Sequence, residues 1–141
     1  MLTPPPRLRQ PQRAIRAFTL IEIMVVIAIV GVLFRIALPV YQSNGLKTKR
    51  YAAQSCLMEY SQYMERYYTT NTSNPMSFTG ASLPSAACAT SLTAAYSLSL
   101  ASTSSTYTLT AAATGAQTKD TGCTALTLQQ DGTKAPASCW P

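Results

Sequence analysis

Few residues of this sequence can do chemistry. Cys56, Cys88, Cys123 and Cys139 are its thiols, and it has no histidine. Its carboxylates are Glu22, Glu59, Glu65, Asp120 and Asp131. Four thiolates could hold zinc, but structural zinc sites draw on closely spaced ligand pairs. No C-x-x-C pair occurs here, and no histidine can assist. Disulfides are the expected use, and four cysteines leave three connectivities open. Oxidised cysteines supply no thiolate nucleophile. The carboxylates show no paired arrangement beyond Glu59 and Glu65. The chain is therefore expected not to be an enzyme, and to hold no metal and no cofactor.

Glu22 is the carboxylate in an unusual place. From Phe18 to Phe34 only Thr19, Glu22 and Gly31 interrupt a continuous apolar run. A helix of about 20 apolar residues spans a bilayer, and the run with its continuation to Tyr41 is long enough. Arg7, Arg9, Arg13 and Arg16 precede it. By the positive-inside rule they stay in the cytoplasm, so the remainder lies outside, where disulfides persist. A carboxylate inside a bilayer is costly and is usually paired and functional. The plain alternative for Glu22 is a place at the interface, or protonation in the membrane. Arg35, near the far end, is expected to snorkel to the outer interface. Pro39 marks an expected kink, because proline removes a helical hydrogen bond.

The net charge of +6 is unevenly spread. Beyond Arg50 the basic residues are Arg66, Lys119 and Lys134, against four carboxylates. Lys47, Lys49 and Arg50 cluster just after the apolar run. Low charge with many Ser, Thr and Ala suits an exported β-rich domain better than a disordered tail.

A basic leader, a small residue, and then Phe-Thr-Leu-Ile-Glu opening an apolar helix resembles the class III signal of type IV pilins and pseudopilins. The likeness extends through ALPVYQ, Ala37 to Gln42. It implies that residues 1–17 are a cytoplasmic leader, cut by a prepilin peptidase between Ala17 and Phe18. It also implies that Phe18 becomes N-methylated. The family usually places glycine before the Phe. Ala17 is the smallest substitute, so processing is expected. In that family the glutamate at the position of Glu22 neutralises the new terminal amine of a neighbouring subunit during filament assembly.

After Ser43-Asn44-Gly45 the pattern becomes amphipathic. Ala53, Cys56, Leu57, Tyr60, Tyr63, Met64 and Tyr67 recur at helical steps. Tyr60, Tyr63, Tyr67 and Tyr68 could stack on bases, but core contact with a sheet is the expected role. Asn71 and Asn74-Pro75 should end the helix near residue 70. Residues 71–91 read as a loop, long enough to need pinning, and Cys88 could pin it. Tyr96, Leu98 and Leu100, then Tyr107, Leu109 and Ala111, alternate with hydroxyl residues and read as a hairpin. A third run spans 124–130. Asp131-Gly132 is a turn signal leading to a short fourth strand.

The expected fold is α+β. A long N-terminal membrane-spanning helix packs on a four-stranded antiparallel sheet, the type IV pilin arrangement. Three parts are expected: the leader 1–17, the membrane and filament-core segment 18–45, and an outer head 46–141. The tail, YTLTAAATGAQTKDTGCTALTLQQDGTK followed by CW, resembles minor pilins of the PilE and ComP-like group. With that resemblance, Cys123–Cys139 closes a C-terminal segment like the pilin D-region, and Cys56–Cys88 ties the helix to the long loop.

The resemblance implies a minor pilin of a type IV pilus, incorporated into the filament or priming it, in adhesion, twitching motility or DNA uptake. Its partners would be other pilins in a helical filament, the prepilin peptidase and the inner-membrane assembly machinery. It would sit in the bacterial inner membrane as a single-pass protein before assembly, then in the surface pilus. The alternatives are a DNA-binding competence pilin and a type II secretion pseudopilin. DNA binding needs basic residues to neutralise phosphates. Lys119 and Lys134 are the distal candidates, each followed or preceded by an aspartate at Asp120 and Asp131.

Overall fold

The computed structural model describes residues 18–141. The leader, with Ala17 and its arginines, lies outside the described residues. The elements run α1 (Leu20–Thr70), α2 (Ala87–Leu92), β1 (Tyr96–Ser102), β2 (Tyr107–Ala113), β3 (Ala125–Gln129) and β4 (Lys134–Ala135). Two 3-10 turns, Gly115–Lys119 and Ala137–Cys139, complete them.

Thr19 starts α1, its Oγ1 accepting the Glu22 N–H at 3.3 Å. This satisfies one of the donors that a helix start leaves unpaired. The chain divides after Leu38 into two units. In the first, Ile, Val, Leu and Phe side chains are exposed all round the helix. That helix is long and apolar enough to cross a membrane. Helical structure continues through Pro39. Residues 39–45 fall in the second unit, where Gln42 and Gly45 border a groove with Ala94, Ala95 and the turn Gly115–Lys119.

The second unit, Pro39–Pro141, holds the core. Ala53, Cys56, Leu57, Tyr60 and Met64 line the buried stripe of α1. The sheet is an antiparallel meander in the order β1-β2-β3-β4. Its register sets Leu109 opposite Leu100 and Leu128, and Ala111 opposite Leu98 and Leu126. These rows form one apolar face, because side chains two apart in a strand share a side. Leu109, Ala111 and Leu126 are fully buried. Each buried leucine contributes roughly 1.5–3 kcal/mol of hydrophobic free energy. The helix-on-sheet arrangement expected from the alternation is the observed fold.

The turns follow their side chains. Asn71 Oδ1 accepts the N–H groups of Ser73 and Asn74, which turns the chain out of α1. Thr103 and Thr106 bond to each other across the β1–β2 turn. Gly132 has φ +81°, the left-handed region a glycine tolerates. Beside it Asp131 Oδ1 accepts the Thr133 N–H at 2.8 Å. The backbone bond from Thr133 holds the Asp131 carboxyl below its ordinary pKa.

One expectation fails. The stretch 71–91 is not all loop, for α2 occupies Ala87–Leu92. A helix of six residues is too short to stand alone. The Cys56–Cys88 disulfide fastens it to α1, and Leu92 is buried beneath it. Gln54 was also unforeseen as a core residue. It is buried and its Nε2 donates to the Cys139 carbonyl at 2.6 Å.

The tyrosines serve the core. Tyr60 is buried, while Tyr63 and Tyr68 pack against the cluster. Phe78 lies 4.8 Å from the Tyr68 ring and 4.9 Å from the Tyr107 ring, centroid to centroid. Tyr107 is buried and donates its hydroxyl to Glu65 Oε1 at 3.2 Å. Burial, then the charge of Glu65, pushes the Tyr107 phenol up to about 12. A phenol raised in the folded state stabilises the fold fully below the ordinary value near 10, and less as pH rises through about 12. A rapid pH-jump absorbance titration should therefore show one tyrosine ionising near 12, absent in Tyr107→Phe. Identical titrations for the two proteins would contradict this account.

Candidate functional site

The C-terminal half of the second unit presents two lysines on a fastened frame. Lys119 closes the 3-10 turn Gly115–Lys119, and Lys134 begins β4. Both side chains are exposed.

The Lys119 turn is held on three sides. Thr114 N–H donates to the Ala95 carbonyl at 2.8 Å, joining it to the start of β1. Gly115 adopts φ +54°, and a Cβ there would approach the Ala94 carbonyl to 3.3 Å. Gln117 is buried, and its Nε2 lies 3.0 Å from the Leu46 carbonyl, 3.1 Å from Tyr96 Oη and 3.3 Å from Asp120 Oδ2. An amide nitrogen has two protons, so the two shorter contacts are the principal bonds. They join α1, the turn and the sheet. Burial raises the Tyr96 phenol above its ordinary pKa, so that hydroxyl stays neutral.

Asp120 does not neutralise Lys119. Its carboxylate pairs with Arg50 Nη1 at 3.2 Å, with both side chains largely buried. The same Nη1 lies 2.8 Å from Cys123 Sγ. Arg50 is thereby removed from the basic cluster Lys47–Lys49–Arg50 and becomes a brace. Asp131 is likewise engaged with its own turn. Among the described residues no salt bridge holds Lys119 or Lys134.

The second lysine is placed by the tail. Lys134 Nζ lies 5.1 Å from the centroid of the Trp140 ring, within cation–π range. Trp140 is largely buried and its Nε1 donates to the Ala135 carbonyl at 3.4 Å. The Cys123–Cys139 disulfide joins the Lys119 turn to this tail. The other bridge, Cys56–Cys88, lies on the α2 side.

The remaining candidate residues stand apart from this frame. Phe18 is exposed just before α1, Glu22 is exposed in its first turn, and Pro39 lies within it. Among the described residues no group of His, Cys, Asp and Glu is arranged to hold a metal.

Two features escaped the sequence. Lys49 lines the same groove as Lys119, a space of about 480 Å³ walled by Leu46, Ala94, Ala95 and Ala116. The basic cluster after the apolar run and the distal lysine are thus neighbours. Gln117 sits in a polar loop where nothing local marks it as buried. The arrangement offers unpaired ammonium groups on a half-apolar surface, suited to binding a phosphate-bearing ligand.

Residues 12–34 match the family model for the prokaryotic N-terminal methylation motif. Residues 39–127 match the family model for the type IV minor pilin ComP, DNA uptake sequence receptor. Among solved structures, a type IV pilin from Shewanella oneidensis is similar. It is 29% identical with a TM-score of 0.51, over 68% of this chain and 98% of that chain. Comparison with curated proteins finds no match.

Proposed function

This chain belongs to the ComP family of type IV minor pilins, and on that premise we propose that its head binds duplex DNA through Lys119 and Lys134. It is a minor pilin, anchored by its apolar N-terminal helix. The observation that carries the DNA reading is charge placement. One exposed lysine, Lys119, precedes the disulfide-closed segment Cys123–Cys139 and the other, Lys134, lies within it, while the carboxylates near them are engaged by Arg50 and Thr133. Lysines neutralising phosphates supply affinity, and each phosphate contact made releases counterions and steepens the salt dependence.

The test uses the full chain in detergent with a labelled duplex. Lys119→Ala with Lys134→Ala should weaken binding and flatten the slope of log K against log salt by about 2. Unchanged affinity at low salt would remove these lysines from the interface.

The remaining assembly roles are part of the same proposal. The prepilin peptidase cuts between Ala17 and Phe18, and Phe18 is then methylated. Glu22 neutralises the terminal amine of a neighbouring pilin in the helical filament. Pro39 lets the helix bend as the subunit, delivered by the inner-membrane machinery, enters the surface pilus. The two disulfides, Cys56–Cys88 and Cys123–Cys139, hold the exported head. Intact mass of membrane-extracted protein should begin at Phe18 with one added methyl group. A mass retaining residues 1–17 would defeat the processing step.

A further inference from the structure

The groove between Lys49 and Lys119 calls for an occupant of its own. Its apolar walls are Leu46, Ala94, Ala95 and Ala116, the amides of Gln42 and Gln117 also line it, and no carboxylate does. Asp120, the nearest in sequence, is already bound to Arg50 and Gln117. Two ammonium groups over apolar walls fit a ligand with an anionic head and an apolar root.

The position along the chain narrows the choice. The apolar run ends at Tyr41, and α1 continues through Gln42, Gly45, Leu46 and Lys49. At 1.5 Å per residue, Lys49 lies about 12 Å along the helix from Tyr41. The polar layer on each side of the hydrocarbon is roughly 5–8 Å thick. Helical side chains tilt toward the N-terminus, and a lysine stem can lean several ångströms further. Gln42, the residue directly after the apolar run, lines the same groove as Lys49.

We propose that this groove docks the headgroup of an anionic phospholipid of the membrane that anchors the chain. The phosphate sits between Lys49 and Lys119, and the glycerol and first methylenes lie on Ala94, Ala95 and Ala116. The occupied groove holds the head against the bilayer before the subunit leaves it. Lys119 is shared with the proposed DNA contact, so a head docked on lipid has only Lys134 left for DNA. The inference rests on the membrane anchoring of the chain and not on DNA binding.

The test places the full chain in nanodiscs of phosphatidylcholine alone, or mixed with phosphatidylglycerol. Acetylation of each lysine is timed by peptide mass spectrometry. Lys49 and Lys119 should react about fivefold more slowly in the anionic discs, the scale of one lysine's attraction to an anionic leaflet. Lys47, which meets the surface potential but does not line the groove, should slow less than Lys49 and Lys119, and Lys134 should change little. Equal rates in both discs would overturn the proposal. Equal slowing at all four lysines would also overturn it, since that reports only the surface potential. Ala116→Leu fills the groove and should abolish the contrast with both disulfides retained by mass. Persistence of the contrast in that variant would count against the site. Protection of Lys49 by an added duplex, with none from anionic lipid, would assign the groove to DNA instead. Duplex affinity in phosphatidylcholine discs, with Lys134→Gln, reads the DNA proposal separately.

Discussion

Replacing Cys123 and Cys139 together by serine should lower the stability of the head by about 3 kcal/mol, by the loop-entropy account of a bridge this long. The bridge spans 16 residues of sequence. It also joins two pieces that otherwise meet through few bonds, the Lys119 turn and the Trp140 tail. What remains after its loss is the Arg50–Asp120 pair and the Gln54 bond to the Cys139 carbonyl. Both bracket the same junction and should loosen with it. For a head of about 100 residues the loss corresponds to a fall in Tm of roughly 10–20 °C. Duplex affinity should fall on the order of tenfold, because binding would now have to order both lysines. Thermal melting in detergent and a duplex titration check the two parts. Substituting both cysteines leaves no stray thiol to confuse either measurement. If Tm fell while duplex affinity stayed at the wild-type level, the bridge would be structural only and the frame account of the site would be wrong.

Gln117→Ala should cost on the order of 2 kcal/mol, since it leaves the buried Tyr96 hydroxyl without its partner and removes the side-chain bond to the Leu46 carbonyl. These are the bonds that tie the Lys119 turn to α1 and to the sheet. No charge is lost in this variant. Its duplex affinity should therefore drop while the slope of log K against log salt stays at the wild-type value. That separates a positioning residue from a contact residue, because the lysine substitutions change both quantities. Gln117→Glu makes a sharper comparison. It would place a carboxylate beside Asp120 and lose the donor to the Leu46 carbonyl, so its stability should be no better than that of the alanine variant. A salt slope flattened in Gln117→Ala would mean that the side chain acts on charge, and not on the geometry of the turn.

Much of this protein was legible in its sequence, because the relevant physics is local. The apolar run Phe18–Phe34 needs only its composition to be recognised as a membrane helix. The alternation Tyr96, Leu98, Leu100 needs only the two-residue period of a strand. Asp131-Gly132 needs only the positive φ that glycine tolerates, here +81°. The family motif around Phe18 and Glu22 is equally contiguous. The helix α2 was not legible. Its residues have no period of their own, and its stability comes from Cys88 and Leu92 meeting partners elsewhere.

The candidate site divides the same way. Lys119 and Lys134 stand out in a head with few charges, but each has an aspartate close in sequence, Asp120 next to Lys119 and Asp131 three residues before Lys134. Folding gives Asp120 another partner, since Arg50 lies 70 residues from it in sequence and still captures it. Gln117 enters the interior for a comparable reason, its amide meeting a helix carbonyl and a strand hydroxyl that only the folded chain brings within reach. Local pattern thus determined which elements form and which lysines exist. Tertiary contact decided which of those charges remain unpaired, because an ion pair forms where a largely buried carboxylate finds its nearest cation in space, whatever the distance along the chain.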